Sequence, residues 1–216
     1  MKKVIIRKIN TELPLDGNLS KPEWKSAEQL SIANYPWYER GGKQKTTVKL
    51  LYNNTFLYIL FYCEDKHSYS EVTELDGLVC LDSCVEFFAN PGGNKYFNLE
   101  TNCCGTIHLA YGPDRHHRKL AGEKLAVKIK IYKTMKGKTK KESPGDKDWI
   151  LEMRVPFSML EELTGVKMNN LSGKIWKANF YRCGGKTNPQ YACWSLIKTE
   201  TPDFHRPEYF GEITFE

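Results

Sequence analysis

The amino-acid sequence predicts an all-β fold, an antiparallel β-sandwich of the jelly-roll type with one short helix. Short runs rich in Val, Ile, Thr, Tyr and Phe recur along the chain, separated by frequent turn signals. Only one segment has a convincing helical pattern, at residues 156–163. The chain has 216 residues without an internal repeat or a linker, so we expect a single domain spanning residues 1–216.

Each strand is predicted from its local pattern and the turns beside it. Asn53 and Asn54 separate two apolar runs and tolerate the left-handed backbone of a hairpin turn. In residues 125–133 apolar and polar side chains alternate, which predicts a strand with one wet face. The predicted strands are residues 47–51, 56–63, 84–89, 96–102, 106–111, 125–133, 149–155, 174–183, 191–196 and 211–215.

The helix prediction includes its cap. Ser158 is followed three residues later by Glu161, which is the spacing of a capping box. Residues 21–30 are expected to hold a further helical turn. Three tryptophans fall within predicted strands and are expected in the core, namely Trp149, Trp176 and Trp194.

The chain carries a net charge of +6, concentrated between Arg115 and Lys147. This stretch includes four lysines that we interpret as a solvated hairpin tip: Lys136, Lys138, Lys140 and Lys141. The sequence has no aromatic RNA-binding signature and no helix-turn-helix pattern, so no nucleic-acid partner is expected.

The cysteines and the N-terminal residues indicate the cellular compartment. The seven cysteines have no tidy spacing, which favours small core thiols in a reducing compartment. Cys80 and Cys84 are a candidate metal pair without a matching second pair, so no metal site is predicted. The apolar run after Met1 is too short for a signal peptide, so the chain as written is expected to be cytoplasmic, or extracellular or periplasmic if a signal peptide was removed. No apolar run is long enough to predict a membrane partner.

Polar side chains on two predicted strands form the candidate site. Strand alternation places Glu86 on one face of its strand, and Asn98, Glu100 and Asn102 on one face of the next. If the strands are neighbours, these residues form one polar patch, and Arg182 could reach into it.

The paired carboxylates have three interpretations. They are a catalytic pair of a glycosidase, acceptors for sugar hydroxyls, or partners in salt bridges with Arg182 and nearby lysines. A sugar site also needs a flat aromatic ring, for which Trp37 and Phe204 are the candidates because both lie in Pro-bearing segments without strand alternation. The alternative is that each ring plugs one end of the sandwich.

Five motifs in a fixed order, spread from Leu15 to Phe215, resemble the family-nine carbohydrate-binding modules and their relatives with a DOMON-like sandwich. The motifs are Leu15-Asp16-Gly17 with Pro22-Glu23-Trp24, residues 48–59, Asp82-Ser83-Cys84-Val85-Glu86-Phe87-Phe88, residues 97–106, and Trp194-Ser195 with residues 204–211.

The resemblance implies a sandwich that binds sugar, in bacterial-type modules that are often attached to glycoside hydrolases. It implies that Glu86, Glu100 and Asn102 contribute polar contacts and that Phe204 stacks on the ring. Members with a characterised site clamp the sugar between two tryptophans. In this chain Phe204 occupies one of the two positions, and the other falls near Cys80, where there is no tryptophan. Some members hold calcium, but the acidic residues here form no recognisable calcium loop. We therefore expect no cofactor, with calcium as the one to test.

The sequence thus predicts a non-catalytic module that binds a mono- or disaccharide and is linked to glycan degradation. Glu86, Glu100, Asn102 and Arg182 are expected to bind hydroxyls, with Phe204 or Trp37 stacking on the ring. One alternative is a glycoside hydrolase that uses the strand carboxylates. The other is a protein-interaction domain with a decayed sugar site, which meets an acidic partner through the basic hairpin near Lys138.

Overall fold

The computed structural model describes residues 1–137 and 145–216, and it consists mainly of β-strands. The strands are β1 (Lys3–Lys8), β2 (Leu30–Ser31), β3 (Thr46–Tyr52), β4 (Phe56–Glu64), β5 (Ser83–Asn90), β6 (Tyr96–Asn102), β7 (Ile107–Gly112), β8 (Lys119–Leu120), β9 (Lys130–Lys133), β10 (Asp148–Pro156), β11 (Ile175–Gly184), β12 (Tyr191–Cys193) and β13 (Gly211–Phe215). The helices are α1 (Pro22–Ser26), α2 (Glu123–Ala126) and α3 (Phe157–Thr164), with single 3₁₀ turns at Val79–Leu81 and Pro207–Tyr209.

One continuous hydrogen-bonded path joins the two layers of a β-sandwich. Its order is β8-β7-β6-β5-β11-β13-β1-β3-β4-β10-β9, with β12 beside β11 and β2 beside β3. The first four residues of β1 pair with β13 in one layer, and its last two residues, Arg7 and Lys8, pair with β3 in the other. The predicted β-sandwich is confirmed, the hairpin predicted around Asn53 and Asn54 forms between β3 and β4, and β6 and β7 form a second hairpin.

β1 departs from the predicted antiparallel pattern, because this strand runs parallel to both of its neighbours. The sequence offered no local signal for it, since its partners β13 and β3 lie far along the chain. A parallel pair needs a long crossover, which residues 9–45 supply for β3 and residues 9–210 supply for β13.

The core lies between the two layers and is rich in aromatic rings. Phe87 on β5 stacks on Phe180 on β11, with ring centroids 5.0 Å apart. Trp149, Trp176 and Trp194 are all buried, as their strand positions predicted. Burying one large apolar side chain contributes about 1.5–3 kcal/mol, so this row of rings is a principal source of the stability of the sandwich.

The predicted strand over residues 125–133 is wrong in its first half. That half forms α2 and the turn after it, and only the last residues form β9, which pairs with β10. Val127 is 56% exposed, whereas Leu125 and Ile129 are buried. Leu125 and Ile129 are four residues apart, so the helical spacing governs burial here rather than the period of two.

The helix prediction is confirmed for α3, but its capping box is wrong. Pro156 is the N-cap and no side chain caps the helix. Ser158 lies inside the first turn, and the Glu161 carboxylate accepts a hydrogen bond from the Met168 amide at 2.6 Å. Lys138, Lys140 and Lys141 of the predicted basic tip lie outside the described residues.

A buried ion pair anchors the N-terminal segment to the second layer. Glu152 on β10 is fully buried and accepts hydrogen bonds from Lys21 Nζ at 2.9 Å and from Trp24 Nε1 at 2.8 Å. Its second oxygen accepts the amides of Asp16 and Gly17 at 3.0 and 2.8 Å. One carboxylate therefore satisfies four donors of the turn and helix that precede β2.

We predict that Glu152→Leu lowers the free energy of unfolding by about 3–5 kcal/mol. It removes the buried partner of Lys21, which keeps only its ion pair with the half-exposed Asp16, and it leaves the Trp24 indole and the Asp16 and Gly17 amides without their acceptor. Urea unfolding followed by tryptophan fluorescence measures this loss. Glu162→Gln is the control, since Glu162 pairs with Lys124 and Lys128 on an exposed surface. Equal destabilisation by the two substitutions would contradict the anchoring role of Glu152.

Candidate functional site

A cavity of about 210 Å³ opens on the outer face of the layer that contains β5, β6 and β11. Successive side chains of β5 alternate between the inter-layer core, which receives Phe87, and this outer face, which receives Glu86 and Phe88. The segment from Pro202 to His205 and the loop that carries Trp37 enclose the cavity. The cavity lies where the sequence predicted a polar patch across two neighbouring strands.

Two glutamates form one wall of the cavity. Glu86 on β5 lies directly opposite Glu100 on β6 in the antiparallel register, and the side chains are only 2% and 7% exposed. Glu86 accepts a hydrogen bond from the Cys183 thiol at 3.2 Å, and Glu100 accepts one from Asn98 Nδ2 at 2.8 Å. Neither carboxylate forms an ion pair with any residue in the described part of the chain.

Burial and mutual repulsion control the protonation of this pair. Burial raises the pKa of Glu86 well above its usual range, and the adjacent Glu100 raises it further. Burial also raises the pKa of Glu100, opposed by His108 and by the hydrogen bond from Asn98. The pair therefore tends to retain a proton, and can present a donor and an acceptor side by side.

His205 contributes a neutral ring to the wall of the cavity. Its Nδ1 atom lies 3.3 Å from Arg118 Nη1 and 3.0 Å from the Tyr96 hydroxyl. An arginine only donates, so Nδ1 accepts and the ring proton lies on Nε2. Burial and the charge of Arg118 lower the pKa of His205 to about 3, which keeps the ring neutral at physiological pH.

Aromatic rings complete the walls. Phe204 stacks on Tyr181 at 4.1 Å and is only 9% exposed, whereas Tyr191 is 40% exposed. Trp37 lies 5.8 Å from Phe204, and its indole N–H donates to the Thr199 carbonyl at 2.8 Å. The two candidate rings, Trp37 and Phe204, thus both line the cavity, and Phe204 is a buried support behind the more accessible rings.

The predicted position of Arg182 in the polar patch is corrected, because its side chain points to the other side of the sheet. It shares a face with Trp176 and Phe180, as predicted, but that face is the inter-layer core. There it forms a buried ion pair with Asp65 and lies over the Trp149 ring, 5.0 Å from its centroid. It cannot reach the polar patch on the outer face.

Asn102 lies on the predicted face but does not line the cavity. Its amide donates to Asp82 Oδ2 at 2.8 Å and to the Val72 carbonyl at 2.9 Å, and its oxygen accepts the Thr106 amide at 2.9 Å. All its polar atoms are engaged, so Asn102 holds the segment before β5 in place.

The sequence analysis missed Tyr191, His205 and Arg115, all of which line the cavity. Tyr191 is paired with Cys183 across β11 and β12, and Cys183 contacts Glu86. The pairing of β12 with β11 depends on the conformation of the loop between them, which no sequence pattern predicts. His205 directly follows Phe204, so its position was available from the motif that contains both.

Within residues 1–137 and 145–216, no three His, Cys, Asp or Glu side chains are grouped to hold a metal ion, and Cys80 and Cys84 are free thiols. Six of the seven cysteines are buried, as the sequence predicted for core thiols, and Cys80 lies at the cavity wall. No helix in the described part of the chain is long and apolar enough to cross a membrane.

The family model described as carbohydrate-binding family 9 matches residues 19–215. The chain belongs to this family. It is a carbohydrate-binding module by family, and the resemblance read from the five motifs is confirmed. No curated protein matches the chain.

Solved structures support the same fold. The chain is similar to a "putative carbohydrate-binding protein" from Bacteroides uniformis ATCC 8492, with 26% identity, a TM-score of 0.89, and coverage of 100% of this chain and 99% of that one. It is also similar to a family 9 module from Caldicellulosiruptor kristjanssonii in complex with glucose, with 13% identity, a TM-score of 0.64, and coverage of 100% and 96%. A second structure of a family 9 module from that organism, in complex with cellotriose, gives 12% identity, a TM-score of 0.63, and coverage of 100% and 94%.

We predict that Glu86→Gln makes the protein more stable than the wild type at alkaline pH. A carboxyl whose pKa is raised by folding costs stability once it ionises, so the wild type loses stability as pH rises above the ordinary glutamate pKa of about 4.3. The difference in Tm between variant and wild type should therefore grow from pH 4 to pH 9.

Glu162→Gln provides the opposite case as a control. Hydrogen bonds from Lys128 and Lys124 lower the pKa of Glu162 to about 2. The contribution of Glu162 to folding stability is therefore present at neutral pH and is lost as pH falls. A Tm difference for Glu86→Gln that does not change with pH would contradict the buried, proton-retaining pair.

Proposed function

We propose that the cavity binds one residue of a saccharide through the Glu86–Glu100 pair and the surrounding rings. The observation that carries this proposal is that both carboxylates are buried, lack a cation partner among the described residues, and face an aromatic cavity. A buried polar group without partners is costly, and sugar hydroxyls both donate and accept hydrogen bonds. The interpretation of the pair as salt-bridged to Arg182 is excluded, because Arg182 pairs with Asp65.

The walls match the two faces of a sugar ring. Hydroxyls lie around the rim of a pyranose and its C–H groups form flat apolar faces, so the carboxylates suit the rim and Trp37 or Tyr191 suits a face. Trp37 comes from a segment outside the five motifs that carry the family resemblance. It supplies a flat ring in a chain that has Cys80 where the family pattern has a tryptophan.

The size of the cavity supports a single residue. About 210 Å³ is smaller than the roughly 300–1,000 Å³ of pockets for drug-sized ligands. A few hydrogen bonds and one stacking contact correspond to affinities in the micromolar to millimolar range.

The geometry favours binding over hydrolysis. Glycosidase carboxyls flank the scissile bond, one on each side of it. Glu86 and Glu100 instead lie side by side on neighbouring strands of one wall, with their backbones directly paired. Two groups on the same side of a ligand do not supply acid and nucleophile to opposite faces.

Two further expectations belong to this proposal. The module acts beside a glycoside hydrolase, which the family resemblance implies, and sugar binding proceeds without calcium. Chelation should leave sugar affinity unchanged, and a sugar affinity that requires calcium would contradict the second expectation.

We predict that Glu100→Gln lowers affinity for the bound sugar about tenfold or more, since a hydrogen bond to a charged group contributes about 1.5–3 kcal/mol. A screen of mono- and disaccharides by thermal shift identifies the ligand, and isothermal titration calorimetry measures the change. Glu162→Gln on the remote surface should bind like the wild type.

Binding unaffected by Glu100→Gln would place the sugar elsewhere and overturn the assignment of this cavity. Release of free sugar during prolonged incubation with a di- or trisaccharide would favour the hydrolase alternative.

A further inference from the structure

Two neighbouring cysteines occupy the tip of the β6–β7 hairpin. The Gly105 amide donates to the Asn102 carbonyl at 2.9 Å, which closes a β-turn with Cys103 and Cys104 at its two central positions. Gly105 follows with a φ of +86°, a backbone angle that glycine adopts readily. The thiols of Cys103 and Cys104 are hydrogen-bonded to each other. The hairpin therefore presents a dithiol rather than two independent cysteines.

The Cys103–Cys104 dithiol borders a cavity of about 690 Å³ that shares no lining residue with the Glu86–Glu100 cavity. Apolar side chains from β7, α2 and β9 form much of its wall, including Ile107, Ala126 and Ile131. Cys104 lines the cavity and is 7% exposed, whereas Cys103 is fully buried behind it. A small molecule in this cavity therefore reaches the Cys104 sulfur before the Cys103 sulfur.

Lys133 places a positive charge next to the dithiol. Its ammonium donates to the Cys104 carbonyl, and its stem passes over Gly105, where a Cβ would lie 2.8 Å from Lys133 Cδ. The absence of a side chain at Gly105 thus leaves room for Lys133. The Cys104 sulfur also contacts the Gly137 carbonyl oxygen, which accepts the proton of the neutral thiol. A cation beside a cysteine favours its thiolate form.

The two thiols of the pair differ in ionisation. The hydrogen bond from Cys103 lowers the pKa of Cys104 to about 6, and the Ser70 hydroxyl and the Lys133 charge lower it further, against burial and the charge of Asp82. The same hydrogen bond raises the pKa of Cys103, and burial adds to this effect. Cys104 is therefore the nucleophile of the pair, and Cys103 keeps its proton.

The other five cysteines are not suited to the same reaction. Burial raises the pKa of Cys80, which lines the Glu86–Glu100 cavity, to about 12. Burial raises the pKa of the remaining four cysteines as well. All seven cysteines belong to the described part of the chain, and among them only Cys104 combines a place on a cavity wall with a lowered pKa.

We propose that Cys103 and Cys104 form a redox-active dithiol site that reacts with a small disulfide entering the cavity beside Cys104. The Cys104 thiolate attacks one sulfur of the disulfide R–S–S–R, which forms a mixed disulfide and releases the thiolate RS⁻. Cys103 gives its proton to this thiolate and attacks the Cys104 sulfur, which closes a Cys103–Cys104 disulfide and releases a second thiolate. The dithiol is thereby oxidised by two electrons, and the reagent is reduced to two thiols.

The bond between adjacent cysteines should be reversible. A disulfide between neighbouring residues closes a small, strained ring, and strained disulfides are the easily reduced ones. The Cys103–Cys104 bond should therefore form in excess disulfide and reopen when a thiol is added. The site lies away from the Glu86–Glu100 cavity, so this inference does not depend on the proposed function.

Mass spectrometry of the folded protein after incubation with 2-hydroxyethyl disulfide tests the proposal. The wild type should lose two hydrogen atoms, and peptide mapping should place the new bond between Cys103 and Cys104. Cys103→Ser should stop at the mixed disulfide on Cys104, and Cys104→Ser should give neither product at this turn. Cys80→Ser is the matched control, because it removes the most accessible of the seven thiols and should react like the wild type.

The pH profile of the reaction is a readout that a purely structural role would not produce. The charged groups around Cys104 are Lys133, Asp82 and, on the cavity wall, Glu123. The rate should rise with pH to a plateau with a midpoint near pH 6, below the pKa of about 8.5 of an ordinary cysteine. Lys133→Gln should move the midpoint to higher pH, because it removes the charge that favours the thiolate.

Four outcomes would overturn the site. The first is a folded wild type that does not react, and the second is a reaction that persists unchanged in Cys104→Ser. The third is a wild type that stops at the mixed disulfide, which would remove the role of Cys103. The fourth is a reaction that occurs only as the circular dichroism signal is lost, because unfolding would then be what exposes the thiols.

Discussion

The structure of the site depends on two carboxyl groups that are buried next to each other and form no ion pair with a described residue. Glu86 and Glu100 face one another across a β-strand pair, and each has one side-chain hydrogen-bond donor, the Cys183 thiol or the Asn98 amide. Such a pair resists full ionisation, because water is excluded and the like charges repel. A ligand whose hydroxyl groups hydrogen-bond to the two carboxyls lowers the free-energy cost of keeping them buried. The same constraint therefore sets the protonation of the pair and makes it a binding surface.

Other buried charges in this sandwich are satisfied within the protein. Glu152 faces Lys21, and Arg182 faces Asp65. Asp82 forms no ion pair within residues 1–137 and 145–216, but it accepts the backbone amides of Glu71 and Val72 as well as the Asn102 side chain. These groups stabilise loop positions and have no capacity left for a ligand. The contrast separates structural carboxylates from the two that line the cavity.

The sequence predicted the pairs of residues that depend on local periodicity. Alternation placed Glu86 and Glu100 on matching faces, and the strand order of a hairpin brought them together. Alternation does not tell which layer a face contacts, which is why Arg182 was assigned to the wrong side. At Leu125 two periods fitted the same residues, and the helical one governs, since Val127 is exposed between the buried Leu125 and Ile129.

Features fixed by distant segments could not be predicted in this way. The parallel pairing of β1 requires the C-terminal strand, whose residue Phe215 lies beside Ile6. Tyr191 reaches the cavity through the pairing of β12 with β11, and Trp37 reaches it through a loop held by the Thr199 carbonyl. These positions follow from tertiary contacts, so the polar wall of the site was predictable while its aromatic walls were predictable only in part.

The central claim is that sugar contacts the glutamate pair directly, and carboxyl-carbon NMR of protein labelled with ¹³C at glutamate Cδ tests it most directly. Signals are assigned with Glu86→Gln, Glu100→Gln and Glu162→Gln, and spectra are compared with and without saturating sugar. The account predicts that the Glu86 and Glu100 signals shift on sugar binding while the Glu162 signal stays in place. Sugar binding that leaves the Glu86 and Glu100 signals unmoved would contradict it.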